Sequence, residues 1–323
     1  MSHLHLPRRA LLGTLALPAL ARAQEAWPNR PVKIVVPFPP GGSNDTIARP
    51  LAERLTRQLG QPFVIENRGG AGGSIGAGTV AQAPADGYTL MVTSSSFPTS
   101  AVLQKTPWDA EGSFDAIALL ARAPFFLMVN PAFAAQDVQA LVKLSKDRPG
   151  SVDYGTSGAG GINHFITEYF CLAAGIRMNH IPYRGTAPAV TDLMAGNINL
   201  MITTVASANA AIREGRVRCI AATAEGGELP PGVAPVRTVK QQGVDYEVAI
   251  WWGLLAPKGV PEPLRRRIHQ ACAEAVADAN LARIYDAEGA RPATDPFGSF
   301  AQVLHQDLER WRQVKTAANI RAE

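Results

Sequence analysis

Three stretches of this chain carry the residue types of an anion cradle. Each runs from an apolar strand-like segment into a turn of small residues and then into a helical pattern. The first is Val32-Lys-Ile-Val-Val-Pro-Phe-Pro-Pro-Gly-Gly-Ser-Asn-Asp45, the second Val152-Asp-Tyr-Gly-Thr-Ser-Gly-Ala-Gly-Gly-Ile-Asn-His164, and the third His180-Ile-Pro-Tyr-Arg-Gly-Thr-Ala-Pro-Ala189. Glycine lets main chain approach a ligand closely. A helix N-terminus adds unpaired N–H groups and a partial positive charge. Several such turns facing one cleft would hold a small anion, typically a carboxylate, with no catalytic side chain.

Each candidate also has a structural role open to it. Gly41 and Gly42 either contact ligand or make the tight turn ahead of the helix. Asp45 either caps that helix, a role usually worth about 1 kcal/mol, or receives a ligand ammonium; Asn44 can cap as well. Thr156 and Ser157 precede a second helix start and divide between capping and ligand contact. Ser94, Ser95 and Ser96 follow a strand at its carboxyl end, where ligands of open α/β sheets bind, and form either a polar wall or a solvated loop. Tyr183 and Trp252 are large enough to line a cleft, although buried packing is the commoner fate of such rings. His164 opens a helix with Glu168 four residues on, and a structural hydrogen bond is its expected role.

Other chemistries fit less well. Gly72-Gly-Ser-Ile-Gly76 matches the G-x-S-x-G form of a hydrolase nucleophile elbow. Such an elbow sits directly between strand and helix, whereas residues 67–71 intervene here. The late histidines a triad would need, His269 and His305, fall in helical patterns as surface residues. No glycine turn fits G-x-G-x-x-G or a P-loop, so a nucleotide is not expected, nor any other cofactor. His164 and Glu168 supply too few ligands for a metal site. Cys171, Cys219 and Cys272 are far apart among apolar neighbours and read as buried thiols. A Cys171–Cys219 bond stays open in an oxidising compartment.

The elements that must position the turns alternate between strand and helix, which argues an α/β fold with mostly parallel sheet. Strands are expected at 32–38, 63–66, 88–93, 125–129, 152–154, 178–183, 199–204, 217–224 and 251–256. Ile47, Leu51, Leu55 and Leu59 recur every fourth residue and mark the first helix, ended by Gly60. Further helices are expected at 79–82, 137–147, 162–174, 188–195, 207–214 and 261–277. Phe297, Phe300, Leu304, Leu308 and Trp311 mark a C-terminal amphipathic helix. Polar stretches at 106–113 and 226–243 read as connections. The pattern suggests two lobes, 24–123 with 250–323 and 124–249. Two crossings between them would make a hinge, with the ligand in the cleft.

Residues 1–23 read as an export signal. Arg8-Arg9 precedes an apolar run at 10–20 that is too short to span a bilayer, and Ala21-Arg22-Ala23 has the small-x-small form of a cleavage site. The arginine pair also fits twin-arginine export. Beyond it no apolar run approaches about 18 residues, so a soluble periplasmic protein is expected. The chain carries 31 Lys+Arg against 27 Asp+Glu; without Arg8, Arg9 and Arg22 it carries 28 against 27. This near-neutral balance gives no basis for binding nucleic acid or a membrane surface.

These motifs, in this order, resemble the substrate-binding proteins of tripartite tricarboxylate transporters, the Bug family. The resemblance runs over nearly the whole mature chain. It rests on Trp27-Pro-Asn-Arg-Pro31, Ile34-Val-Val-Pro-Phe-Pro-Pro-Gly-Gly42, Val64-Ile-Glu-Asn-Arg-Gly-Gly-Ala-Gly-Gly73, Ala85-Asp-Gly-Tyr-Thr-Leu90, Gly155-Thr-Ser-Gly-Ala-Gly160 with His164, Ile181-Pro-Tyr-Arg-Gly-Thr-Ala-Pro-Ala189 with Asp192-Leu-Met-Ala-Gly196, and Trp252-Gly-Leu-Leu-Ala-Pro257. It implies a two-lobed, Venus-flytrap periplasmic binding protein. Such a protein closes on a small carboxylate and hands it to a membrane transporter or a sensor protein. It also implies a monomer. Carboxylate contact in the family runs largely through main-chain amides and ordered water. Carried over, those positions are Phe38, Pro40, Gly41, Gly42, Ser43, Asn44 and Asp45 in the first lobe. In the second they are Thr156, Ser157, Gly158, Gly160 and Gly161, with Tyr183, Gly185, Thr186, Ala187 and Pro188 beside them. Asp192 and Thr203 complete the candidate set. Asn44 departs from the hydroxyl residue common before the aspartate, and Thr156 replaces a common serine.

A binding protein of this kind turns over no ester. Purified protein should show no hydrolysis of short-chain nitrophenyl esters above background, and Ser74→Ala should change nothing measurable; ester turnover that disappears with Ser74→Ala would favour the hydrolase reading.

Overall fold

The computed structural model describes residues 27–226, 229–286 and 289–321. The expected export signal at 1–23 lies outside the described residues. Apolar strands and amphipathic helices alternate from Val32 onward. In order they are β1 (Val32–Val36), α1 (Ser43–Leu59), β2 (Phe63–Asn67), α2 (Ser74–Ala81), β3 (Thr89–Ser94), α3 (Ser96–Leu103), β4 (Phe114–Pro124), β5 (Phe126–Val129), α4 (Val138–Asp147), β6 (Asp153–Thr156), α5 (Ile162–Ala174), β7 (Asn179–Pro182), α6 (Thr186–Ala195), β8 (Leu200–Thr203), α7 (Val205–Arg213), β9 (Arg218–Ala222), β10 (Ala249–Pro257), α8 (Glu262–Val276), α9 (Ala279–Asp286), β11 (Arg291–Pro292) and α10 (Ser299–Ala317).

The strands form two sheets, one ordered β11-β4-β10-β3-β1-β2 and the other β7-β6-β8-β5-β9. In the first, β1 pairs in parallel with β2 and β3, while β10 runs antiparallel between β3 and β4. In the second, β6 pairs in parallel with β7 and β8, while β5 runs antiparallel to β8 and β9. Both sheets are therefore mixed, which corrects the expectation of mostly parallel sheet. Parallel neighbours need a crossover on their own sheet. β5 and β10 instead enter from the other sheet, and that requirement does not bind them.

The chain crosses between sheets at Phe125, between β4 and β5, and returns ahead of β10. Thr223, fully buried just past β9, ties the two crossings together. Its Oγ1 accepts the Phe125 N–H at 2.8 Å and donates toward Val248 O at 2.6 Å. The Thr223 main chain extends the tie, its N–H reaching Phe125 O at 2.9 Å and its carbonyl accepting from Val248 N–H at 3.1 Å.

The expected stripe on α1 is buried, with Ile47, Ala48, Leu51, Ala52 and Leu55 facing the core. Gly60 ends that helix at φ +71, a left-handed conformation that favours glycine, and its N–H reaches Thr56 O at 3.0 Å. The helix α10 packs against both halves. Phe300 meets Trp251 edge to face at 5.1 Å, and Trp311 meets Phe165 of α5 at 5.9 Å. The three cysteines are free and buried, so Cys171 and Cys219 are not bonded. Burial pushes Cys219 and Cys272 up to about 12, which keeps these thiols protonated and inert. Among the described residues no helix is long and apolar enough to cross a membrane.

Gly253 tests this packing. A Cβ there would lie 2.2 Å from Cζ of Phe300, whose ring is fixed against Trp251. Gly253→Ala should lower the unfolding free energy by about 1–3 kcal/mol in a urea titration; an unchanged midpoint would contradict the placement of Phe300.

Candidate functional site

The turn between β1 and α1 is built around Asp45. The sequence suggests Asp45 or Asn44 as the helix cap; the structure corrects this, because Gly42 is the N-cap and Asp45 lies in the first turn. The carboxylate is 4 % exposed and fully engaged. Its Oδ2 accepts from Gly41 N–H at 3.0 Å and from Arg49 Nε at 2.8 Å, and its Oδ1 accepts from Asn67 Nδ2 at 2.9 Å. Burial alone would raise its pKa, but the bonds from Arg49, Gly41 and Asn67 prevail and hold it below the usual range. A ligand ammonium would have to compete with all three partners. Asp45 instead fixes the turn, and the N–H groups of Ser43 and Asn44 are left without a protein acceptor among the described residues. Phe38 is half-buried over Gly73, while Pro40, Gly41 and Gly42 are exposed and Ser43 half-buried.

Beside that helix end lies a buried polar wall. Ser94 and Ser95 are buried at the carboxyl end of β3, and Ser96 opens α3, so this segment is not a solvated loop. Ser94 and Ser96 hydroxyls bond each other at 2.9 Å. Asn44 Oδ1, Thr93 Oγ1, Ser95 Oγ, Ser100 Oγ and Trp252 Nε1 are all buried with no hydrogen-bond partner. Buried polar atoms are normally paired, and Thr93, Ser95 and Trp252 contribute theirs from the neighbouring segments β3, its end and β10. Trp252 itself is 1 % exposed, paired in β10 opposite Ser94, and packs within the main core cluster.

The second sheet contributes the turn between β6 and α5. Thr156 is buried at the strand end, and Gly161 is the N-cap of α5. Ser157 Oγ bonds Asn163 Oδ1 at 3.0 Å, and Asn163 Nδ2 donates to Ile202 O of β8 at 2.6 Å. Most of the glycine amides are used inside the protein. Gly160 N–H goes to His164 Nδ1 at 3.0 Å, Gly161 N–H to Gly158 O at 3.3 Å and Gly185 N–H to Ser157 O at 3.1 Å. Among the donors without an acceptor among the described residues are the first amides of the helices, Ile162 and Asn163 in α5 and Thr186 and Ala187 in α6.

The third turn is held by a tyrosine–aspartate pair. Tyr183 OH donates to Asp192 Oδ2 at 2.7 Å, and Asn197 Nδ2 holds Asp192 Oδ1 at 3.1 Å. Burial, with the nearby Asp192 adding to it, pushes the phenol up to about 12. The Tyr183 ring lies over Gly155, while Gly185 and Thr186 are half-buried and Ala187 and Pro188 exposed. Thr203 is buried at the end of β8, and Arg184 points into solvent. His164 forms the structural hydrogen bond expected of it.

Several residues that matter here were not among the sequence candidates. Asn67 and Asn163 each bridge a turn to a neighbouring segment, and only their positions near strand and helix ends hinted at it. Leu103 at the end of α3 lies against Gly160, where an added Cβ would come within 2.0 Å of its Cδ2. Gly160 is thus a point of contact between α3 and the β6–α5 turn. Ser74 opens α2 behind a single 3₁₀ turn, with its carbonyl accepting from Trp108 Nε1. His269 and His305 bond Asp295 O and Glu111 instead. Among the described residues no group of three or more His, Cys, Asp or Glu is placed to hold a metal.

Comparison with known proteins places this geometry among others. The profile described as "Tripartite tricarboxylate transporter family receptor" matches residues 47–320. BugT of Bordetella pertussis is 32 % identical over 294 residues, covering 90 % of each chain. An R. palustris protein solved with adipate superposes with a TM-score of 0.75 at 30 % identity, covering 91 % of this chain and 99 % of that one. MatC from Rhodopseudomonas palustris, with bound malate, superposes at 0.71 and 29 % identity, covering 89 % and 99 %.

Asp45→Ala should lower stability at pH 7 by about 1–3 kcal/mol, the worth of hydrogen bonds to a charged group. Because the folded carboxyl titrates below the ordinary 3.8, its contribution is complete above that value and is lost as pH falls through the folded value. The deficit of the variant should therefore shrink toward pH 3. A deficit equal at pH 3 and pH 7 would contradict the assigned partners.

Proposed function

Because this chain belongs to the tripartite tricarboxylate transporter receptor family, we propose that it captures a small carboxylate between its two lobes and delivers it, chemically unaltered, to a membrane transporter. One lobe comprises 24–123 with 250–323 and the other 124–249, joined at the crossings that Thr223 ties. Residues 1–23 direct export, and the mature protein works in the periplasm as a monomer. The observation that carries the reading is that helix ends on both sheets leave donors without a protein acceptor among the described residues. Helix ends of α1, α5 and α6 present free amides, and the β3 end adds orphan hydroxyls. The relatives solved with adipate and malate support a dicarboxylate as the class to try first.

The grip is main-chain in kind. An ionised carboxylate leaving water is costly unless several donors meet it. Amides fixed by Asp45, Asn163 and Asp192 supply them with geometry set in advance. A ligand touching both lobes favours the closed arrangement by its differential affinity for it.

The test is a thermal-shift screen of the mature protein against malate, adipate, citrate, glutamate and nicotinate, with the diamide of each dicarboxylate as control. At least one acid should raise the melting temperature saturably, with about 2.7 kcal/mol of stabilisation at a hundredfold excess over Kd. The neutral amides should not. Equal shifts with acids and amides, or none with any acid, would contradict the proposal.

A further inference from the structure

Behind the β6–α5 turn, the imidazoles of His164 and His180 stack with centroids 3.8 Å apart and planes 20° from parallel. Tyr154 of β6 stacks on His180 at 5.0 Å. Each imidazole also grips the turn. His164 Nδ1 accepts the Gly160 N–H at 3.0 Å. His180 Nε2 lies 2.7 Å from Thr156 Oγ1, which donates to Gly158 O at 3.2 Å and accepts from Gly158 N–H at 3.4 Å. One ring comes from α5 and the other from β7, the edge strand that pairs with β6. The stack therefore clamps the turn at both of its ends.

The hydrogen bonds dictate protonation states. Nδ1 of His164 accepts only while it carries no proton, so that ring is neutral with its proton on Nε2. His180 Nε2 shares the 2.7 Å hydrogen bond with Thr156 Oγ1, the donor being set by the ring's tautomer. The groups packed around the pair do not favour a cation. From β6 these are Tyr154 and Asp153, the latter bonded to Asn179. From α5 they are Glu168, hydrogen-bonded to the Tyr154 hydroxyl, and the buried Cys171. Burial raises Glu168 toward its neutral form. Beyond the third turn, Asp192 is engaged by Tyr183 and Arg184 is exposed. Burial pushes both imidazoles down to about 4, His164 further disfavoured by His180.

We infer that His164 and His180 are positioning residues. Stacked and neutral, they set the β6–α5 turn so that the first amides of α5 face the cleft, and a proton taken up at Nδ1 of His164 removes the acceptor of Gly160 N–H and releases that end of the turn. The effect on affinity rests on the carboxylate-binding reading; the clamp itself does not. A charged pair would attract an anion through space, so the two influences of protonation oppose each other. The clamp predicts that loss of turn geometry prevails.

The test combines ring and amide NMR with calorimetry. Wild-type protein with labelled histidine should show both rings neutral at pH 7, His164 as the Nε2–H tautomer, and a Gly160 protection factor, taken against the intrinsic exchange rate at each pH, that falls as His164 titrates. His164→Leu keeps bulk without an acceptor. It should lose Gly160 protection and bind malate or adipate about tenfold more weakly or worse, roughly one lost hydrogen bond to an organised turn. His164→Asn places an acceptor oxygen near Nδ1 and takes no proton. It should recover most of that loss and remove the pH dependence of the Gly160 protection factor, while His180→Gln tests the Thr156 end alike. Cationic rings at pH 7, or a His164→Leu variant that keeps Gly160 protected and binds as wild type does, would overturn the inference. If wild type binds neither acid, the carboxylate reading fails while ring titration and Gly160 exchange still decide the clamp.

Discussion

A main-chain N–H at the start of a helix has no partner within the helix. In this protein that constraint recurs at the carboxyl ends of strands from two different sheets. Ser43 and Asn44 begin α1, Ile162 and Asn163 begin α5, and Thr186 and Ala187 begin α6. A donor partly removed from water must find an acceptor or carry a cost. On the proposed reading both sheets solve it alike, by leaving donors for which an anion supplies the lone pairs. Side chains could have closed these helix ends instead. None of the three N-caps, Gly42, Gly161 and Gly185, has a side chain able to do so.

The polar side chains nearby serve a different purpose from the one their types suggest. Asp45 is bonded to three partners and orders a turn. Asp192 holds Tyr183, Asn163 ties its turn to β8, and the imidazole pair holds Thr156 and Gly160. Their charges and protons are largely spent within the protein. What remains for a ligand is amides of fixed direction and a few orphan hydroxyls. Donors of fixed direction need no reorganisation on binding, which lowers the cost of association.

The sequence made the βα series legible because apolar strands flanked by small-residue turns are a strong local signal. α5 is found at its expected bounds, and the stripe on α1 is buried as its spacing indicates. The elements that escaped it are informative. α3, with Pro98 and three hydroxyl residues in eight positions, has little helical propensity and is held by packing against α10, where Lys315 Nζ reaches Val102 O. β4 is a long apolar run without alternation, which periodicity alone does not assign. The mixed pairing of both sheets follows from β5 and β10 arriving from the opposite sheet, a long-range fact that no local window contains. At the site, the glycine turns were visible, but the division between amides used internally and amides left free was not. Gly160 shows why: its N–H is taken by a ring four residues on, and its α-carbon lies against Leu103 from another element.

The central claim is that helix-end amides from both lobes jointly hold a carboxylate. A crystal structure of the mature protein with its highest-affinity dicarboxylate addresses it most directly. Carboxylate oxygens should lie about 2.7–3.2 Å from amides of Ser43 or Asn44 and of Ile162 or Asn163, directly or through one ordered water. A ligand seated instead in the separate cavity lined by Arg122 and Arg310, with those amides turned away from it, would contradict the account.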